Sequence, residues 1–362
     1  DITEILKLNP SNKGICIVLG EKNKDLALDI ASNSEMKVFL FEKSESKVDQ
    51  LRKEWQKTGF YGGKIAAYQV ADYSILPMTS DIAELVLVND PSIINAKEII
   101  RLIKPEGYAV LITKDNNKKW LSSAENLWQV DQINNDSKTL LKKKKIENIG
   151  KWTHQYGLAD NSAFGGESLW GSTSTEDFEI QWMGRPGPRF QTDRSGRKPS
   201  PLAVNGKMFV QGKERVLAID TYNGKIFWSK EITEMVRMNL HHDCSNWAAD
   251  DDFLYIAVNQ NLLKINNETG EIDEIFPVDP SKNNIPNEWG YIGVLDDKFI
   301  GSSTQKGSAF KNYYGGAGWY DGQTGPATYK VMSFALFAKS KEDGKDIWKY
   351  EKSNSAIINS TI

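Results

Sequence analysis

Histidine and cysteine are the side chains best suited to bind a transition metal, and this 362-residue chain has three histidines and two cysteines. His241, His242, Asp243 and Cys244 are consecutive. Because adjacent side chains of a strand point to opposite faces, only His242 and Cys244 could share a metal ion. A zinc site normally needs three or four ligands, so His154 or Asp243 would have to contribute. The alternative is a hydrogen-bonded loop without metal.

A loop rich in arginine, glycine and proline forms the second candidate site. It contains Arg185, Arg189, Arg194 and Arg197. The guanidinium group presents paired donors that match carboxylate and phosphate groups. Arg185 and Arg189 are therefore candidates for contact with an anionic ligand. The alternative is a connector that forms salt bridges with a neighbouring domain.

A third candidate interleaves aromatic residues with glycines over residues 313–321. Tyr314 and Trp319 lie in it, and Asp321 ends it. Exposed rings on a glycine-rich loop could form a stacking surface for a ligand. Local packing of the same rings is the alternative.

The predicted secondary structure differs between the first third of the chain and the rest. The first third alternates apolar strands with helical patterns. Such alternation predicts a parallel sheet covered by helices on both faces, an α/β Rossmann-like domain. We predict strands over 14–20, 37–42, 64–70, 84–89 and 108–113, and helices over 25–31, 44–58 and 95–103.

Residues 12–114 resemble the first half of class I S-adenosylmethionine (SAM)-dependent methyltransferases. In that family a glycine-rich turn follows strand one, an acidic residue closing strand two binds the cofactor ribose, and an Asp after strand three lies beside the adenine. Gly20, Glu42 and Asp72 occupy these positions. The turn Lys104–Gly107 matches the one that precedes strand five in the family.

Two departures bear on what this resemblance implies. Charged residues, Glu21–Asp25, follow Gly20 where the family has further glycines that allow close approach of the ligand. No strand is predicted beyond the fifth, whereas the family has two more. We therefore expect a truncated domain over 1–114 with a degenerate cofactor site, and we do not expect SAM to bind.

Residues 115–175 are interpreted as a connector. It contains four consecutive lysines, Lys142–Lys145. Like charges in a row repel one another and stay solvated, which favours a surface segment. Docking onto an acidic partner or an anionic lipid is the alternative.

The remaining residues, 176–362, contain an internal repeat of strand, glycine-closed turn and strand. Its copies are Leu217–Trp228, Leu263–Ile272 and Leu336–Trp348. We expect positive φ at each turn glycine and a tryptophan that packs between neighbouring repeats. Two further strands are predicted upstream of each copy, and four strands make one β-propeller blade.

The pattern from Asp220 to Trp228 resembles the repeat of the pyrroloquinoline quinone (PQQ) propeller superfamily, which includes quinoprotein alcohol dehydrogenases. The chain as a whole is similar to large exported propeller proteins of planctomycete-type bacteria. The resemblance implies about three to four blades of an incomplete ring, completed by further sequence or by another chain. It also implies PQQ with calcium as cofactors to consider, although no ligand motif is matched.

Composition excludes several functional classes. The formal net charge is −3, which does not favour nucleic-acid binding. No apolar run approaches the roughly 20 residues of a membrane-spanning helix. Two cysteines in different predicted domains argue against a disulfide framework. Because the chain starts at Asp1 without a leader, we predict that a leader was removed and that the protein is periplasmic or otherwise exported.

Three functions remain open. The first is an exported propeller protein for binding or assembly, with a protein partner and a non-catalytic methyltransferase-like domain. The second is a quinoprotein-like oxidoreductase whose active site is completed outside this chain. The third is an active SAM-dependent methyltransferase. Whether the chain is an enzyme stays open, with PQQ-type oxidation ranked above methyl transfer.

Overall fold

The chain divides into two compact units. Unit 1 comprises Asp1–Glu147, Ser174–Met183 and Tyr222–Lys225, and unit 2 comprises the remainder. The computed structural model describes residues 6, 12–112, 118–123, 128–132, 138–147, 149–169, 171–184, 200–212, 214–235, 246–279, 286–306, 332–351, 355–359 and 362.

Unit 1 is built on one seven-stranded sheet with the order β3-β2-β1-β4-β5-β7-β6. The first five strands are parallel, and β7 is antiparallel to both of its neighbours. The order reverses between β1 and β4, which is where open α/β sheets bind ligands. The strands are β1 (Lys13–Leu19), β2 (Glu35–Glu42), β3 (Ile65–Gln69), β4 (Ala83–Val88), β5 (Ile103–Ile112), β6 (Trp128–Gln132) and β7 (Lys138–Lys143).

Both faces of this sheet are covered, as the continuous apolar strands predict. In β1, Cys16 and Val18 point to one face and Ile17 and Leu19 to the other. Helices α1 and α2 pack on the first face, and α3 packs on the second. None of the helices among the described residues is long and apolar enough to cross a membrane. The helices are α1 (Lys24–Asn33), α2 (Glu45–Gln56), α3 (Ala96–Leu102) and the short α4 (Lys118–Ser122).

The prediction that the strands stop after the fifth is wrong. Strands β6 and β7 form a hairpin that extends the sheet from β5. Among the described side chains of β7, Leu140 and Leu141 are buried, one on each face, and the others are not. Lys143 belongs to the strand rather than to a solvated connector, and its ammonium group donates to the carbonyls of Ile100 and Ile103 at 2.7 and 2.9 Å.

The described residues of unit 2 form three antiparallel sheets, each containing a meander of four consecutive strands. A short strand, β20 (Ile357–Ile358), adds to the third sheet by pairing with β18. The first sheet has β8 (Leu202–Val204), β9 (Lys207–Gly212), β10 (Arg215–Asp220) and β11 (Ile226–Glu231). The second sheet has β12 (Trp247–Ala249), β13 (Phe253–Val258), β14 (Asn261–Asn266) and β15 (Ile272–Pro277). The third sheet has β16 (Asn287–Leu295), β17 (Lys298–Gln305), β18 (Met332–Ser340) and β19 (Asp346–Glu351).

The predicted repeat geometry is confirmed at the turns. Gly224, Gly270 and Gly344 have φ values of 70°, 73° and 68°, in the left-handed region that favours glycine. Trp228 lies against Gly270 of the following sheet. Among the described residues, the three sheets do not form a closed ring.

Candidate functional site

Gly20, the first residue of the predicted cofactor site, follows the end of β1, next to the point at which the strand order reverses. Gly20 has φ 78° and ψ 142°, a conformation that residues with a Cβ rarely adopt. A Cβ placed there would meet no atom within 4 Å. Its N–H donates to the carbonyl of Phe41 at 2.8 Å. A single 3-10 turn, Glu21–Asn23, then leads into α1.

Glu42 closes β2, as predicted, and its carboxylate holds two segments of the chain. One oxygen accepts the backbone N–H of Glu21 at 2.8 Å, and the other accepts the N–H of Ser44 at 2.9 Å. Glu42 is buried. Burial alone would raise its pKa, but the N–H groups of Ser44 and Glu21 hold that pKa below its ordinary value. The carboxylate is therefore ionised and already hydrogen-bonded on both oxygens.

Two asparagines that sequence reasoning missed join the ends of β1 and β4. The amide of Asn23 donates to the carbonyl of Leu19, and the amide of Asn89 donates to the side-chain oxygen of Asn23. Asn23 is 9% exposed. The available signal was Asn89 itself, a polar residue that ends an apolar strand at the reversal point.

Asp72 and Tyr73 follow β3 but face different surroundings. Asp72 is exposed and accepts the Oγ–H and the N–H of Ser74, which hold its pKa below its ordinary value. Tyr73 is buried, and its hydroxyl donates to the carbonyl of Phe41 at 3.4 Å. Burial, with the charge of Glu42, raises the pKa of Tyr73 to about 12. The structure thus places Tyr73, rather than Asp72, against strand β2.

The loop that carries Asp72 is fixed by an ion pair of α3. Glu98 accepts the N–H of Leu76 at 2.7 Å and two donors of Arg101 at 2.7 and 2.8 Å. Arg101 donates further to the carbonyls of Leu76 and Met78. The hydrogen bond to Glu98 raises the pKa of the Arg101 guanidinium. Glu98 and Arg101 therefore hold the loop between β3 and β4 in place through hydrogen bonds to its backbone.

Most of the ligand-binding residues predicted from the sequence lie beyond the part of the chain that the structure describes. His242 and Cys244, with His241 and Asp243, lie outside the described residues, as do Arg185, Arg189, Arg194, Arg197, Tyr314, Trp319 and Asp321. Within the described ranges, no group of three or more His, Cys, Asp or Glu residues could hold a metal ion. Cys16 is a free, buried cysteine, and burial raises the pKa of its thiol.

His154 is a buried hydrogen-bonding residue of unit 2. Its Nε2 accepts the backbone N–H of Val294 at 2.9 Å, and its Nδ1 lies 2.7 Å from the hydroxyl of Thr153. Burial lowers the pKa of His154 from 6.5 to about 4, against a smaller opposing effect of Asp160. The imidazole is therefore neutral near pH 7, and its Nε2 lone pair is used by the protein.

This shift predicts an acid-sensitive fold. Between pH 6.5 and about 4 the unfolded chain binds a proton at His154 that the folded chain does not, so stability falls as the pH falls. The expected loss over this range is roughly 2–3 kcal/mol. Denaturant unfolding at pH 7, 5.5 and 4.5 checks it, with His154→Gln as the comparison. An equal pH dependence in both proteins would rule out this role.

Unit 2 also contains a cavity of about 400 Å³ beside the turn between β13 and β14. Polar groups dominate its wall, among them Glu234, Asn259 and Lys306. The amide of Asn259 donates to Glu234 at 2.8 Å. The cavity can take a small polar molecule, but its described polar side chains are partly paired with one another.

No protein-family model and no curated protein matches the sequence. Solved structures similar to it include a protein of Methanococcus maripaludis assigned as an S-adenosyl-L-methionine-dependent methyltransferase, with 14% identity over 41% of this chain and 84% of that chain and a TM-score of 0.35. A SAM-dependent methyltransferase from Aquifex aeolicus is 12% identical over 40% of this chain and 88% of that chain, with a TM-score of 0.32. The [4+2]-cyclase SpnF is 12% identical over 36% of this chain and 58% of that chain, with a TM-score of 0.32.

These similarities concern the fold of about 40% of the chain. The assignment of unit 1 as a methyltransferase-like Rossmann domain rests on its own strand order, with five parallel strands followed by the antiparallel hairpin. The two strands that the family has beyond the fifth are present.

Proposed function

We propose that this chain is a binding or assembly protein in which unit 1 keeps a methyltransferase-like fold without transferring methyl groups. The observation that carries the proposal is the pairing of both Glu42 oxygens with the backbone N–H groups of Glu21 and Ser44. In the family that unit 1 resembles, the corresponding carboxylate binds the ribose of the cofactor.

Releasing this carboxylate to a ligand would be unfavourable. The turn Glu21–Asn23 would have to give up its bond to Glu42, and each N–H group left without a partner costs about 1–3 kcal/mol. The Nζ atom of Lys47 lies 3.7 Å from Oε2 of Glu21 and adds a positive charge beside this turn. The charged turn after β1 is thus hydrogen-bonded to Glu42, the acidic residue that would bind the ribose of a cofactor.

A second candidate, an active SAM-dependent methyltransferase, is favoured by the complete strand order and by the open space at Gly20. The two functions differ in one measurable property, which is affinity for the cofactor. The quinoprotein alternative receives no support from the described residues.

Calorimetric titration with SAM and with S-adenosylhomocysteine separates the candidates. We expect no binding in the micromolar range. The competing enzyme hypothesis requires heat of binding with a defined stoichiometry, and that result would end the proposal. A functional SAM-dependent methyltransferase titrated in parallel verifies the ligands.

The structural role of Glu42 makes a separate prediction. Glu42→Ala leaves the N–H groups of Glu21 and Ser44 without their acceptor. Because both bonds are only partly buried and water can replace some of the lost bonding, we expect the free energy of unfolding to fall by about 1–3 kcal/mol in total. Asp72→Asn is the matched control, because Asp72 is exposed and bonds only to Ser74. Urea unfolding of unit 1 measures both, and equal stability of the two variants would contradict the role.

For unit 2 we propose that the sheets within residues 176–362 are blades of a β-propeller used as a docking platform. Support comes from the four-stranded meanders, the repeated glycine turns and the packing of Trp228 on the next sheet. Export of the protein is part of this proposal. Cell fractionation against a periplasmic marker tests it, with recovery in the cytosol as the opposing result.

A further inference from the structure

The cavity of about 400 Å³ in unit 2 is bounded by segments from all three of its sheets. Residues 232–234 follow β11, residues 258–261 form the turn between β13 and β14, and residues 287, 288 and 306 lie at the start of β16 and just after β17. A cavity of this size is typical of a small-molecule site. Its volume is the share of about a dozen water molecules in the liquid.

Hydrogen bonds within the protein hold the wall of this cavity in place. The carbonyl of Glu214 accepts the N–H of Ile232 at 3.0 Å, and its carboxylate accepts the N–H of Glu234 at 2.8 Å. The carbonyl of Asn259 accepts the N–H of Trp289 at 2.8 Å, which joins the turn after β13 to β16. The wall is therefore ordered before a ligand binds, which lowers the entropic cost of binding.

Two exposed side chains of opposite charge line the cavity without pairing with each other. One carboxylate oxygen of Glu234 accepts the amide of Asn259 at 2.8 Å, and the other has no hydrogen-bond partner in the described ranges. The ammonium group of Lys306 likewise forms no ion pair or side-chain hydrogen bond within the part of the chain that the structure describes. A ligand that carries one group of each charge would complement both.

The rest of the wall has an uncharged polar part and an apolar part. The side chains of Thr233, Gln260 and Asn261 line the cavity and have no partner among the described residues. The buried apolar residues of the wall are Ile232, Val258 and Leu263. The cavity thus suits a molecule with charged groups and a short apolar skeleton.

Other ligand classes fit these groups less well. A purely anionic ligand would be repelled by Glu234, and a purely cationic one by Lys306. Glu288 also lines the cavity, but it is 2% exposed and adds negative charge behind the wall. A hard metal ion needs about six oxygen ligands, and the described residues contain no group of three His, Cys, Asp or Glu that could hold one.

We propose that this cavity binds a free α-amino acid with a small apolar side chain. The ammonium group of the ligand donates to Glu234, its carboxylate accepts from Lys306, and its side chain packs on the apolar part of the wall. The inference goes beyond the proposed docking function of unit 2. It depends neither on the sheets being propeller blades nor on whether unit 1 binds SAM.

Three compounds with the same branched skeleton test the requirement for both charges. L-leucine has both groups, 3-methylbutylamine lacks the carboxylate, and 4-methylpentanoate lacks the ammonium group. Ligand-observed NMR titration of the full chain measures their affinities. We expect L-leucine to bind at least about tenfold more tightly than either analogue, because each analogue loses a charge-assisted hydrogen bond. Equal affinities, or no binding of L-leucine at millimolar concentration, would overturn the proposal.

Charge-removing variants locate the binding to the cavity. Lys306→Met should weaken L-leucine about tenfold and leave 3-methylbutylamine unaffected, whereas Glu234→Gln should weaken L-leucine about tenfold and leave 4-methylpentanoate unaffected. Glutamine keeps an acceptor for the amide of Asn259. Lys298→Met is the matched control, since Lys298 pairs with Asp297 and does not line the cavity. Unchanged affinity in both cavity variants, or an equal loss in the control, would place the binding elsewhere and overturn the proposal.

Discussion

Replacing Glu98 with alanine is expected to lower the free energy of unfolding of unit 1 by about 3–5 kcal/mol. Glu98 is 5% exposed and bridges the N–H of Leu76 and the guanidinium of Arg101. Removing it leaves Arg101 partly buried without its counter-charge. It also leaves a buried N–H group without an acceptor, so the penalty exceeds that of a lost surface pair.

The effect should be local in the first instance. The loop between β3 and β4 loses its anchor, so amide hydrogen exchange should rise over residues 72–82 before the sheet itself opens. Calorimetric unfolding gives the overall loss, and exchange by mass spectrometry gives its location.

The control is Glu54→Ala. Glu54 pairs with Lys24 at 2.9 Å, but this pair lies on the surface, where ion pairs contribute little. We expect its stability to stay close to that of the wild-type protein. A Glu98→Ala variant as stable as the Glu54→Ala variant would show that the loop is held by other contacts.

Gly270→Ala is expected to destabilise unit 2 by about 2–5 kcal/mol, the sum of two effects. A left-handed φ costs an L-residue about 1–2 kcal/mol, and Gly270 has φ 73°. Overpacking costs about 1–3 kcal/mol more, because the new methyl group would lie 2.6 Å from Trp228.

Gly166 separates the two effects. It has φ 78°, belongs to unit 2, and a Cβ there would meet no atom within 4 Å. Gly166→Ala should therefore show only the backbone penalty of about 1–2 kcal/mol.

A double-mutant cycle then isolates the contact with the ring. Combining Gly270→Ala with Trp228→Ala should cost less than the sum of the single changes, because the second change removes the clash. Denaturant unfolding of unit 2 measures all four proteins. Equal losses at Gly270 and Gly166, or strict additivity in the cycle, would contradict the docking of Trp228 on this turn.

The parallel strands of unit 1 could be predicted because both of their faces are buried. Cys16, Ile17, Val18 and Leu19 form a continuous apolar run, and such a run has few alternatives to a central strand. The same reasoning placed Gly20 and Glu42 at the carboxyl ends of their strands. The positions of these residues follow from local sequence alone.

The terminal hairpin of the sheet escaped prediction for the opposite reason. Strand β7 has two buried leucines between lysines and a threonine, and this pattern also suits a solvated segment. The half-buried ammonium group of Lys143 contacts Asp81 and two carbonyl groups that lie far away in the sequence. Only the folded sheet brings those acceptors to the lysine.

By itself, the sequence determined the repeats of unit 2, because a glycine with positive φ and a nearby aromatic residue are local requirements of each turn. The tertiary structure alone decided which group each side chain contacts. Glu42 could have been left open to a ribose, but folding brings it the N–H groups of Glu21 and Ser44. Likewise, Trp228 and Trp348 occupy matching positions in their hairpins, yet Trp228 lies against the Gly270 turn and Trp348 is 42% exposed. Local patterns specify backbone conformation, whereas burial and hydrogen-bond partners depend on segments that meet only after folding.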